Sequence, residues 1–207
     1  MNLTSIQRDV LKEIGNIGAG NAATSMSKLI NKKVEMQIPA VDVVSYDEMM
    51  ELIGGPDELI VAILFRIQGE TPGTVYFILT TKEAGTLVSQ LTDEVEFDFA
   101  SDGPANELAI SVLQEMGNIL TGSYLAALSD FTNINMQPSV PYLSVDMAGA
   151  ILTAGLLELS QVTDSVTIID TKINSNLGDG IHGNLLLLPD PESFPKIFNA
   201  LGIDKHE

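Results

Sequence analysis

The chain has 207 residues, 28 of them acidic and 10 basic, and a net charge of −18. A surface so negative repels nucleic acid and anionic lipid headgroups, and neither is an expected partner. The 45% hydrophobic content is enough for a core, while the lack of cysteine excludes disulfides, thiolate metal sites and cysteine nucleophiles. Two histidines, His182 and His206, are too few for a histidine metal cluster. No apolar run is long enough to cross a bilayer, and Met1-Asn-Leu-Thr4 does not open a signal peptide. The expectation is a soluble cytoplasmic protein.

Thr4 and Gln7 stand at capping-box spacing and predict a helix start. Ile6, Val10, Ile14 and Ile17 recur at helical intervals, so the helix is expected to run to about residue 30 with these four on one apolar face. Gly15, Gly18 and Gly20 weaken it but would admit another backbone at close range, and tight packing against a second helix is expected. Residues 33–45 have strand character broken at Pro39. A short helix around 47–53 stops at Gly54-Gly-Pro56. Residues 59–67 and 73–80 read as a hairpin, and 81–91 as a helix.

Residues 92–103 are acidic and form the expected connector, with Phe97 and Phe99 as anchors. They do not match a calcium loop, which needs a central glycine and a terminal glutamate. The order then repeats. A long helix is expected over 106–131, strand character over 133–145, a short helix over 148–157, strands over 166–173 and 183–188, and a last helix over 191–201. The eight methionines read as filler in the core or on the surface.

The repeat preserves a polar pair. Asp9-Val-Leu-Lys-Glu13-Ile-Gly-Asn16 answers to Ser111-Val-Leu-Gln-Glu115-Met-Gly-Asn118, at an offset of 102 residues (115 − 13), and Pro39 answers to Pro141 at the same offset. Downstream the offset is 110 (183 − 73), so the second half carries a net insertion of eight, expected within 159–164 or 174–180. One unit would bury too little alone. The expected fold class is α+β: two pseudo-symmetric repeats, about 1–92 and 103–207, sharing an antiparallel β-sheet core in a single domain, with the long helices on one layer.

At about 100° per residue, Asp9, Glu13 and Asn16 fall within about 60° along one edge of the helix, expected to be exposed, as do Ser111, Glu115 and Asn118. A solvated face would not need the same identities twice. Asparagine has no useful pKa, but its amide can hold and aim a water, while glutamate can accept hydrogen bonds or pair with a partner's cation. That suffices to align water on an already activated phosphoryl group. Metal and cations would then come from a protein substrate with its own active site. A rival is the dinucleotide pattern Gly18-Ala-Gly20-Asn-Ala-Ala23 with Asp42 beyond it. It lacks the strand that must precede it, and Leu120 replaces the first glycine in the second half.

The pattern Asp/Ser-x-x-x-Glu-x-x-Asn followed by proline, twice in the chain, resembles the CheC-type chemotaxis phosphatase family, strengthened by Ile14-Gly-Asn-Ile-Gly-Ala-Gly-Asn-Ala-Ala23. The resemblance spans nearly the whole chain. It implies a phosphatase acting on the aspartyl phosphate of the response regulator CheY. Asn16 and Asn118 would orient the attacking water, and Glu13 and Glu115 would contact the regulator's active-site lysine. Mg²⁺ would be held by the regulator, so this chain is expected to bind neither metal nor cofactor. Asp9, Ser111, Pro39 and Pro141 are motif-associated, and the prolines are expected to fix the backbone beside each helix. The resemblance also implies binding to the receptor deamidase CheD. The alternative is a non-catalytic adaptor that chiefly holds CheD; a flagellar-switch component would need a further docking domain. With two sites per chain, a monomer is sufficient.

Overall fold

The computed structural model describes residues 4–92, 104–156, 165–175 and 180–201. The predicted connector, most of the expected insertion, and His206 lie outside the described residues.

Helix α1 (Ser5–Ile30) starts as its sequence dictates. The Thr4 hydroxyl accepts from the Gln7 amide at 3.2 Å, and the Thr4 amide donates to Gln7 Oε1 at 2.8 Å. Such a cap stabilises a helix by about 1 kcal/mol. Strands β1 (Val34–Gln37) and β2 (Val41–Ser45) follow, separated at Pro39. Helix α2 (Tyr46–Ile53) has Ser45 and Glu48 as a second capping box and ends at Gly54, whose φ of 112° favours glycine. The hairpin β3 (Leu59–Gly69) and β4 (Gly73–Thr80) leads into α3 (Thr81–Thr92). The second half gives α4 (Pro104–Thr132), β5 (Met136–Pro138), β6 (Tyr142–Met147), α5 (Ala148–Leu156), β7 (Ser165–Ser175), β8 (Ile181–Pro189) and α6 (Ser193–Ala200). His182 lies in β8, which starts two residues before the expected strand, and its amide donates to Glu83 Oε1 at 3.0 Å.

Among the described residues, eight strands join one antiparallel sheet in the order β1-β7-β8-β4-β3-β5, with β2 also on β7 and β6 also on β3. Exchanging the halves turns β1 into β5, β3 into β7 and β4 into β8, and the order maps onto itself. The first strand of each half is hydrogen-bonded to the hairpin of the other: Met36 faces Ile173, and Gln68 faces Gln137.

The central strands are buried on both faces, which explains their continuous apolar runs. Val61, Ile63 and Phe65 of β3, with Phe77 of β4 and Leu185 of β8, pack under the long helices. Ile60, Ala62, Tyr76, Ile78 and Leu186 point the other way, against Met49 of α2 and Leu152 of α5.

Packing corrects the expected phase of α1. Ile14 is fully buried, but Ile6 and Ile17 are exposed. The buried stripe is Leu11, Ile14, Gly15, Gly18, Ala22 and Met26. Small residues win because α1 lies close on α4: a Cβ on Gly18 would sit 2.8 Å from Tyr124 Cα and 3.2 Å from the Ser123 carbonyl oxygen. The close approach expected of the glycines occurs at Gly18. Gly15 lies instead over the Ile38 side chain, and Gly20 faces open space.

Candidate functional site

Each long helix carries one copy of the motif. Asp9 and Glu13 are exposed on α1 and Asn16 is half-buried; Ser111, Glu115 and Asn118 are exposed on α4. The half-burial of Asn16 departs from the expectation of full exposure and has an identifiable cause. Asn16 Oδ1 accepts a hydrogen bond from the Ile38 amide at 3.0 Å. Ile38 itself is buried beneath Gly15, and Pro39 follows it.

The second copy is built differently. The repeat offset pairs Ile38 with Val140, which is 86% exposed. Among the described residues the Asn118 side chain makes no hydrogen bond. The segment before Pro141 is held elsewhere: the Arg66 amide donates to Ser139 Oγ at 3.0 Å, and the Ser139 amide donates to the Arg66 carbonyl at 2.8 Å. The paired bonds to β3 draw the segment to the sheet edge instead of to the helix. Gly117, the counterpart of Gly15, consequently packs on Ile63.

The motif face is not purely polar. At about 100° per residue, Ile6 and Ile17 lie within about 40° of Glu13, and both are exposed. Leu108 and Ile119 hold the same positions around Glu115; Leu108 is exposed and Ile119 half-buried. Exposed aliphatic residues around a carboxylate and an amide suit a flat protein-docking surface. Arg8 reaches Asp42 at 3.6 Å, a half-exposed pair that ties the start of α1 to β2 and adds little stability.

The glycine-rich rival fails on geometry. Gly18-Ala-Gly20 lies in the middle of α1, where no strand-to-helix turn exposes backbone amides to a phosphate. Among the described residues, no cluster of three or more His, Cys, Asp or Glu is arranged to hold a metal ion. No described helix is long and apolar enough to cross a membrane.

Comparison with known proteins adds kinship to this geometry. A family model described as CheC-like matches residues 6–42 and 108–145, the two stretches that contain the motifs. The CheY-P phosphatase CheC of Bacillus subtilis (strain 168) is 40% identical over 197 residues, covering 95% of this chain and 94% of that protein. This chain belongs to the CheC-like family.

Other relatives fit that placement in the CheC-like family. The flagellar motor switch phosphatase FliY of Bacillus subtilis is 23% identical over 90% of this chain, which spans 47% of that longer protein. The crystal structure of Thermotoga maritima FliY superposes with a TM-score of 0.75 at 19% identity over 98% of both chains. A FliM middle domain from H. pylori superposes with a TM-score of 0.61 at 15% identity, covering 96% of this chain and 99% of that one. Those two likenesses show the α+β fold that the repeat pattern predicts. In this CheC-like chain, the family-matched stretches correspond to the motif helices and the strands that follow them, the parts that place Glu, Asn and Pro.

Proposed function

We propose that this chain is a protein phosphatase that hydrolyses the aspartyl phosphate of the chemotaxis response regulator CheY. The observation that carries the reading is its 40% identity, nearly end to end, to a protein named CheY-P phosphatase CheC. The repeated Glu and Asn on a partly apolar helix face, all exposed but the half-buried Asn16, are compatible with it.

In this reading Asn16 and Asn118 enter the regulator's phosphorylation site, and each amide holds one water in line with the phosphorus. The water oxygen bonds to phosphorus as the phosphorus–oxygen bond to the aspartyl carboxylate breaks. Inorganic phosphate and the free carboxylate are the products, and the water's proton is lost to solvent or phosphate. The amide cannot take that proton, so its contribution is orientation. Glu13 and Glu115 pair with the regulator's active-site lysine and fix the pose. Mg²⁺ arrives with the regulator, and this chain supplies no metal or cofactor. The chain acts in the cytoplasm as a single domain of two repeats, one site on each, and needs no dimer. CheD is a second partner by family resemblance; an adaptor that only holds CheD is the competing reading.

The test is phosphate loss from phosphorylated CheY with the wild-type chain and with the double variant Asn16→Ala/Asn118→Ala. Acceleration by wild type and none by a folded double variant is the expected result. Equal turnover by both would remove the asparagines from the mechanism. No acceleration by either, with or without CheD, would leave the adaptor.

A further inference from the structure

A groove of about 260 Å³ opens beside the second motif. Its apolar wall is Leu29 near the end of α1, Leu91 of α3, and Val112 and Met116 of α4, and the motif residues Ser111 and Glu115 also line it. The second site is therefore composite: its Glu and Asn come from one half of the chain, while Leu29 and Leu91 come from the other. Leu29 is 59% exposed. Its volume is below the roughly 300–1,000 Å³ of pockets that hold small molecules. An apolar side chain or two is the better fit.

We infer that this groove takes an apolar side chain of the phosphorylated response regulator while Glu115 and Asn118 occupy its phosphorylation site. The inference rests on the phosphatase reading, and the choice of occupant follows from continuity. Ser111 and Glu115 belong to both the groove and the motif, so a protein seated on Glu115 covers the groove as well. A protein surface entering there brings carbon to carbon, and the displaced water is gained at no polar cost. The groove then sets affinity and register for the regulator. Leu29 acts as a specificity residue without touching the reacting atoms.

The experiment uses the full chain with its first site disabled by Glu13→Arg/Asn16→Ala, so that the second site alone is read. Two quantities are measured: binding of CheY loaded with Mg²⁺ and beryllium fluoride, and steady-state turnover of phosphorylated CheY. Leu29→Asp is expected to raise Kd and KM about tenfold with kcat within about twofold. Leu29→Met, which restores an apolar chain of similar size, is expected to restore both. Unchanged Kd and KM in a background that turns over would overturn the groove and leave the phosphatase standing. Binding weakened by Leu29→Asp in a background without turnover would keep the groove as a docking surface for CheY and remove catalysis from the second site; the phosphatase itself is overturned if the wild-type chain, assayed alongside, also gives no turnover. No binding of CheY by the background overturns the groove. A background that sediments as a dimer, and as a monomer once it carries Leu29→Asp, would also overturn the groove by assigning it to a second copy of this chain.

Discussion

Asn16 Oδ1 and the Ile38 amide are joined by a 3.0 Å hydrogen bond that has no counterpart between Asn118 and Val140. Two copies of the same motif thus start from different states. One asparagine is held to its own chain and half-buried, and the other is exposed.

The difference predicts unequal sites. To aim a water inside another protein, Asn16 must share or give up its bond to Ile38, which costs about 0.5–1.5 kcal/mol. Asn118→Ala is expected to lower kcat/KM for phosphorylated CheY roughly two- to tenfold more than Asn16→Ala does. A larger loss from Asn16→Ala would mean that holding the amide in place outweighs the cost of freeing it.

The glutamates should separate from the asparagines kinetically. Glu13→Ala combined with Glu115→Ala is expected to raise KM with a small change in kcat, because docking to a cation is shared by ground and transition states. A fall in kcat at constant KM would give glutamate a share in positioning the water.

Stability should discriminate between glycines two residues apart. Gly18→Ala pushes a methyl into Tyr124 and Ser123 backbone and is expected to destabilise the fold by about 1–3 kcal/mol. At Gly20, which faces open space, alanine is expected to stabilise α1 by about 1 kcal/mol. Thermal or denaturant unfolding of the two variants measures the contrast; equal shifts would contradict the close helix contact.

Tyr124 predicts a pH effect. Its hydroxyl is buried without a hydrogen-bond partner among the described residues, and burial pushes its ionisation well above the ordinary 10.0. The neutral phenol is favoured in the folded chain, so the associated stability is intact below 10.0. Above it the unfolded chain loses a proton that the folded chain keeps, and stability falls as pH rises. Tyr124→Phe is expected to add about 1 kcal/mol near neutrality and to flatten the alkaline decline. A decline of the same slope in both proteins would remove Tyr124 as its source.

How much of this was legible in the sequence depended on distance along the chain. The cap Thr4/Gln7 joins residues three apart, so sequence spacing alone predicts it, whereas the Ser45/Glu48 cap emerged only with the structure. The face of α1 was harder. Counting isoleucines placed Ile6 and Ile17 inside, whereas glycine and alanine form the contact because interhelical distance, not side-chain hydrophobicity, decides what fits between α1 and α4. The exposed Ile6 and Ile17 border Glu13 on the motif face, a role that composition could not assign.

The sequence by itself determined the repeat, the recurrence of Glu13 and Asn16 as Glu115 and Asn118, the exposure of both glutamates, and the order of helices and strands. These follow from covalent spacing and local periodicity, which each half carries in full. Tertiary structure decided the rest. The strand exchange between halves, the tie of Asn16 to Ile38 against the freedom of Asn118, and the groove that Leu29 and Glu115 both line each depend on which distant segments the sheet and helices bring together. Two near-identical motifs end in different settings because Ile38 is buried under its helix, while Ser139 is hydrogen-bonded to β3 beside the exposed Val140.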